Sequence, residues 1–302
     1  MLDAPFRGSD AVASGLLTPG ALRGHRFVRV FPDVYVPADL PLTFEVRSRA
    51  GHVLTERRGG VLAGYSAAVL LGASCEPRGA PAEVIVPSHV RRVPGLLSRQ
   101  GDVDPAERVA IGSVPVTSRF RTAWDLARRL PLLDAVVAVD ALARPARPGR
   151  PPRFDPLDLL DRRTSSPGAR GCRRLDEVVV LADPRAESPP ETLMRLALVF
   201  AGLRPRVQHE LLDARGDVVA RFDLAFPEVL LAVEYDGEDH DDTLDRARDL
   251  RTGAFGWHTM RFRGADVLSR PDRMVALVEA QILHRRGLPD VERASRAAAA
   301  SW

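Results

Sequence analysis

Apolar residues in the last third of the chain fall into short runs of strand length, and helical periodicity fills the intervals between them. Val218 to Phe226 and Val229 to Tyr235 are rich in Val, Leu, Phe and Ala, with Pro227-Glu228 between them, and this predicts an antiparallel hairpin with a turn at the Pro-Glu pair. Arg206 to Leu212 predicts a strand before the hairpin and His258 to Arg263 a short strand after it. Ser188-Pro189-Pro190-Glu191 leads into Leu193, Leu196, Ala197 and Phe200 at helical spacing. Thr243 to Phe255 reads as a helix with Asp and Arg alternating on its exposed face. Asp266 to Arg286 reads as an amphipathic closing helix with Met274, Val275, Leu277, Val278, Ile282 and Leu283 inward. Trp257, Phe262 and Phe255 are expected in the core beneath the last strand. The order helix, three strands, helix, strand, helix is an α/β arrangement.

Acids interrupt these strands. Asp223 lies inside the first hairpin strand, and Glu234 and Asp236 lie in the second. A carboxylate on a largely buried sheet surface is costly unless a cation pairs with it. Pairing Phe226 with Val229 sets Asp223 opposite Ala232, with Glu234 one step away on the same face; a register shifted by two sets Asp223 directly opposite Glu234. Both registers give convergent carboxylates of the kind that hold Mg²⁺ or Mn²⁺. The competing partner is Arg221, which lies on the same face. Glu191 carries two readings: a capping box with Ser188, or a helix-borne carboxylate that joins the site. Asp236-Gly237 also suits a strand-ending turn, and His240, among Asp239, Asp241 and Asp242, also suits a solvated helix start.

An acid in one strand, ten intervening residues and then Glu-x-acid resembles the core of the PD-(D/E)XK nucleases. The longer pattern Glu234-Tyr235-Asp236-Gly237-x-x-His240, then Asp249-x-Arg251, Gly256-Trp257 and Arg261-Phe262, resembles the branch called domain of unknown function 559, which is similar to very-short-patch repair endonucleases; the likeness covers about Ser188 to Gly287. It implies a restriction-endonuclease-like core with a mixed β-sheet flanked by helices, Asp223 and Glu234 as metal ligands, and DNA as substrate. The superfamily's lysine is missing: position 236 is Asp, and all 43 Lys-or-Arg positions are Arg. The general base is then Asp236 or His240, whose ordinary pKa near about 6.5 suits water activation. Arg251 would steady phosphate charge, and Arg246 and Arg248 would contact the nucleic acid.

A Pro- and Arg-rich run from Ala143 to Arg153 marks a boundary and reads as an extended linker. The division expected is 1–145, a linker with helices (Pro156 to Arg162 and Arg170 to Leu181) over 146–187, the nuclease-like domain 188–287 and a tail 288–302. Before the linker, Ser9 to Gly15 and Thr18 to Arg23 suggest two short helices, and Phe27 to Val36 suggests a two-stranded wing. With Leu62 to Ala68, Glu83 to Pro87 and Pro115 to Ala127, this part resembles the winged-helix domain of type IV abortive-infection antitoxins over Gly8 to about Arg144. That implies a winged-helix-like α+β domain binding DNA through Arg23, Arg26 and Arg29, with His25, Arg91 and Arg92 nearby, or a protein-contact module with a toxin as partner.

Composition narrows the field a little. A net charge of +3 and a pI near 9.3 are compatible with nucleic acid without requiring it. Cys75 and Cys172 lack both metal-ligand spacing and a disulfide framework, which fits a reduced cytoplasmic setting. No apolar stretch approaches bilayer-spanning length. The expectation is a Mg²⁺- or Mn²⁺-dependent endonuclease with an N-terminal DNA- or partner-binding module. The competing class is a non-catalytic antitoxin or regulator that keeps a nuclease fold as scaffold.

Overall fold

The computed structural model of the chain describes residues 3–237, 242–288 and 291, with backbone alone at 242–245. The chain is mixed α/β and divides into two compact units: one is Met1–Ala143 with Phe154–Asp176, the other Arg144–Arg153 with Glu177 onward. The stretch read as linker and helices is therefore shared, since 154–176 packs with the first unit and 144–153 counts with the second.

The first unit runs β1 (Phe6–Arg7), α1 (Gly8–Ala13), α2 (Pro19–Leu22), β2 (Phe27–Phe31), β3 (Val34–Pro37), α3 (Phe44–Thr55), β4 (Val61–Leu62), α4 (Gly64–Leu70), β5 (Ala82–Val86), β6 (Leu96–Gln100), β7 (Arg108–Ile111), β8 (Val114–Thr117), α5 (Arg119–Ala127), α6 (Leu132–Ala143) and α7 (Asp158–Thr164). The two strands expected over Phe27 to Val36 are present as β2 and β3, and β1 extends them to an antiparallel sheet in the order β1-β3-β2. Its turn rests on Asp33 at φ 58, a conformation Asp tolerates, and the Asp33 carboxylate accepts hydrogen bonds from Ser9 N at 2.9 Å and Ser9 Oγ at 2.6 Å. A mixed five-stranded sheet in the order β6-β5-β4-β8-β7 supplies the core, with Leu62, Val84, Val86 and Val116 packed against Ala50 and Ala67 of α3 and α4. Buried Asp125 accepts from Arg121, Arg128 and Arg129. Arg121 also pairs with Glu107, which Arg162 of α7 reaches as well. That ion-pair chain explains why α7 belongs here.

The second unit contains α8 (Leu175–Leu181), within which the division falls, then α9 (Pro189–Phe200), β9 (Arg206–Leu212), β10 (Val218–Phe226), β11 (Leu231–Asp236), α10 (Asp242–Gly253), β12 (His258–Arg263), α11 (Gly264–Ser269) and α12 (Pro271–Arg286). The four strands form a mixed sheet in the order β12-β11-β10-β9, with β11 and β12 parallel and the other pairs antiparallel. A parallel neighbour needs a crossover, and α10 supplies it. One face packs Leu224, Phe226, Leu231, Val233 and Phe262 against Met194, Leu198, Met274, Val278 and Ile282. The other packs Phe222, Ala225 and Ala232 under Trp257.

Several sequence expectations change here. The hairpin loop is longer than the Pro-Glu pair: Pro227–Val229 make one 3₁₀ turn and Leu230 follows at φ 52. Two-residue hairpin loops favour positive φ at the first position, which proline's ring forbids, so the chain uses a longer connection. Phe226 then faces Leu231, which is the shifted register. The closing helix breaks into α11 and α12 at Pro271, whose missing N–H cannot continue α11. On α12 the inward stripe is Met274, Val278, Ile282 and Arg285, leaving Leu277 and Leu283 exposed. Arg285 takes an inward place because it donates to Val229 O and Gly256 O, both at 2.6 Å, satisfying two carbonyls. Phe255 is exposed as well, while Trp257 and Phe262 are buried as expected.

Side-chain alternation fails at one place. On β10, Phe222 enters the Trp257 cluster and Leu224, two residues on, enters the opposite one; on β9, Val207 and Leu211 divide the same way. The fault lies at Gln208 and Asp223, between the pairs Phe222↔His209 and Leu224↔Val207, and Gln208 sits there at φ 51. A non-glycine residue in the left-handed region within a strand is a strained feature of the kind found at functional sites.

Candidate active site

The kink positions the acids. Beyond Leu224↔Val233 the paired register of β10 with β11 stops, and the Asp223 carboxylate itself accepts from Tyr235 N at 3.0 Å. Asp223 thus stands in for a ladder carbonyl where the strands part, level with Glu234. The third carboxyl to arrive is Glu191, from the first turn of α9. Ser188 caps that helix by accepting from Glu191 N at 3.3 Å, as the sequence suggests. The Glu191 carboxylate accepts from Glu187 N at 2.9 Å and from Gln208 Nε2 at 3.0 Å. Glu191 Oε2 ties down the helix entry, and the charge of Asp223 bears on the same carboxylate.

Electrostatics record the crowding. Burial, with Asp223 next in weight, pushes Glu191 up to about 6. Burial also pushes Glu234 up to about 7, Asp223 adding to the rise while Arg248 and Arg261 oppose it. Burial raises Asp223 too, against the Tyr235 N–H and Arg248. Three carboxyl groups that prefer to keep protons are what a hard cation would relieve.

Arginines answer part of that charge. Arg248 Nη2 lies 2.6 Å from Glu234 Oε1 and Nη1 donates to Oε2 at 3.2 Å. Arg261, opposite Glu234 on the parallel strand β12, lies 3.4 Å from Oε2 and donates to both oxygens of Asp249 at 2.7 Å. That pairing holds Asp249 below the usual carboxylate range. Arg221, the expected competitor for the strand acids, pairs instead with Glu187 at 2.8 Å. Asp236 is buried and meets Arg263 Nε at 3.2 Å. Arg246 and Arg251 lie exposed on α10, and His240 lies outside the described residues. In the first unit Arg23, His25, Arg26, Arg29, Arg91 and Arg92 are all exposed.

Gln208, Glu187, Asp249 and Arg261 complete the site. Asp249 and Arg261 stood in the long motif without a role; Gln208 and Glu187 carried no signal, because a backbone kink and a turn bring them in. As to a metal, the donor chemistry of Glu191, Asp223 and Glu234 suits a hard divalent ion. Among the described residues, however, no group of three His, Cys, Asp or Glu side chains is drawn together tightly enough to hold one. The cation against Glu234 in this structure is the Arg248 guanidinium.

A pH dependence follows. Glu191 and Glu234 hold protons in the folded chain above their usual 4.5, up to about 6 and about 7. The folded state therefore binds more protons than the unfolded between those values, and stability falls as pH rises from about 4.5 to 7. In chelator, Glu191→Gln should flatten the lower part of this slope and raise stability at pH 8 by about 1–2 kcal/mol. Urea unfolding at pH 5 and pH 8 checks it; an unchanged pH difference would show that Glu191 carries no excess charge.

No family model matches the chain, and no solved structure matches it. It is similar to two uncharacterized proteins of Mycobacterium tuberculosis, MT2308 of strain CDC 1551 / Oshkosh and Rv2248 of strain H37Rv, each 29% identical over 163 residues. The match takes in 52% of this chain and 58% of each relative, so it spans little more than half of the length of either.

Proposed function

We propose that the second unit is a metal-dependent nucleic-acid phosphodiesterase with a restriction-endonuclease-like core, and that the first is a winged-helix-type module bringing it to DNA or to a partner protein. The observation that carries the reading is the convergence of Glu191, Asp223 and Glu234 at a strained sheet kink, their pKa values all raised, with two arginines beside them. Asp223 and Glu234 would hold Mg²⁺ or Mn²⁺. When bound, the ion would polarise a phosphodiester oxygen and lower the pKa of its water. Asp223 is oriented for this by the Tyr235 N–H, and Glu191 by Glu187 N and Gln208. Asp236 or His240 would accept the water's proton, and Arg251 or Arg248 would meet the phosphate.

A non-catalytic scaffold, an antitoxin or DNA-binding regulator with a toxin partner, is favoured by one observation: Glu234 already has Arg248 and Arg261 against it. Metal binding separates the two readings. Mn²⁺ should raise the thermal midpoint of the full chain by mass action, and Asp223→Asn should abolish the rise. An equal rise in both proteins would place the ion elsewhere, and no rise in wild type would leave the scaffold reading.

Among the described residues no helix is long and apolar enough to cross a membrane.

A further inference from the structure

The two arginines on Glu234 are held differently. Arg261 is fixed from behind, with both Asp249 oxygens at 2.7 Å, and it sits in the register of β12 directly across from Glu234. Losing Glu234 would leave Arg261 still paired. Arg248 makes its close ion pair with Glu234, and its charge also bears on Asp223 and Asp249. Its other contacts are the Arg221 carbonyl and the face of Phe222, whose ring centroid lies 5.8 Å from its Cζ. Its side chain is 30% exposed, whereas that of Glu234 is 7% exposed. The guanidinium thus plugs a buried carboxylate from the solvent side.

We propose that Arg248 is a gate for the divalent cation: without a phosphodiester it serves as the counter-ion of Glu234, and a phosphate that draws the guanidinium outward frees Glu234 for the metal. The inference rests on the phosphodiesterase reading and adds to it a coupling between nucleic acid and metal. The exchange leaves neither end without a counter-charge. Glu234 trades a guanidinium for a divalent ion, and Arg248 trades a carboxylate for a phosphate, which its planar fork matches equally well. By linkage, whatever factor the nucleic acid adds to metal affinity the metal adds to nucleic-acid affinity. Such a device weakens the ion's hold on an empty site, where it would have nothing to cleave.

The test is calorimetric titration of the full chain with Mn²⁺ at fixed salt, with and without an eight-nucleotide thymidine oligomer, the oligomer's own Mn²⁺ uptake being subtracted. Wild type and Arg248→Met are compared; methionine keeps an unbranched side chain and removes the charge. Wild type should bind Mn²⁺ at least about 5-fold more tightly with the oligomer present. Arg248→Met should bind it about that much more tightly without oligomer, and the oligomer should add little further. Mn²⁺ binding by wild type that the oligomer leaves unchanged overturns the gate while sparing the phosphodiesterase reading. So does coupling that persists undiminished in Arg248→Met, since the phosphate would then be acting on the ion directly. Absence of Mn²⁺ binding in both proteins, with and without oligomer, overturns the phosphodiesterase reading and the gate with it. If Arg248→Met does not fold, shown by loss of a cooperative thermal transition, Arg248→Gln takes its place under the same criteria.

Discussion

Glu234→Gln is expected to abolish the Mn²⁺-induced rise in thermal midpoint and to lower phosphodiester cleavage by about 10³-fold or more. An amide keeps the size and one acceptor of the carboxylate but removes the charge that would bind the ion. Forfeiting several kcal/mol of transition-state stabilisation from a metal corresponds to about that factor. His240→Ala should behave differently if that residue prepares the water: the rate falls by about 10²- to 10⁴-fold while metal affinity is kept. Single-turnover cleavage of plasmid and of mismatch-containing duplex with Mg²⁺ or Mn²⁺ separates these cases. Unchanged cleavage in His240→Ala would move the proton-accepting role to Asp236 or to the phosphate itself. Full activity in Glu234→Gln would remove the kink from the chemistry altogether.

Phe222→Ala is expected to cost about 3–5 kcal/mol of stability, the range for truncating a fully buried aromatic. Phe222 is 1% exposed and stacks on Trp257 with ring centroids 4.7 Å apart, and His209 lies against the same indole at 5.4 Å. The substitution empties the centre of the smaller cluster on that face, where few apolar residues are available to collapse into the space. It also removes the ring beneath Arg248. Urea unfolding monitored by tryptophan fluorescence reads the loss. A cost below about 1 kcal/mol would mean that the Trp257 face is not a packed core. Phe222→Leu should recover most of the stability without restoring the platform for Arg248.

Much of this arrangement was legible in the sequence. Runs of strand length located β9, β10 and β12 at the bounds the structure shows, because β-branched, aromatic and other apolar residues between turn-forming ones favour a packed, extended backbone. Asp223 and Glu234 stood out because an acid within such a run is anomalous on energetic grounds, whatever the fold around it. Ser188 with Pro189 and Glu191 located a helix start, since capping is a contact within one turn.

The sequence left two registers open for the hairpin, and packing chose between them: only the shifted one accommodates a four-residue loop begun by Pro227. It assigned Leu277 and Leu283 to the core from periodicity alone, whereas the sheet offers that helix a narrower stripe and gives one of its positions to Arg285. It offered Arg221 as the partner of the strand acids, but the counter-ion of Glu234 comes from α10 and the partner of Arg221 from the turn before α9. The break in alternation at Gln208 and Asp223 has no counterpart in composition or spacing, because it arises where two strands twist against each other between opposing cores. The sequence by itself thus determined which residues are chemically out of place and which segments are strands or helices, since both follow from local free energies of burial and backbone geometry. The tertiary structure alone decided which carboxylates meet and which arginines answer them, because those partners are separated along the chain and are brought together only by register, crossover and kink.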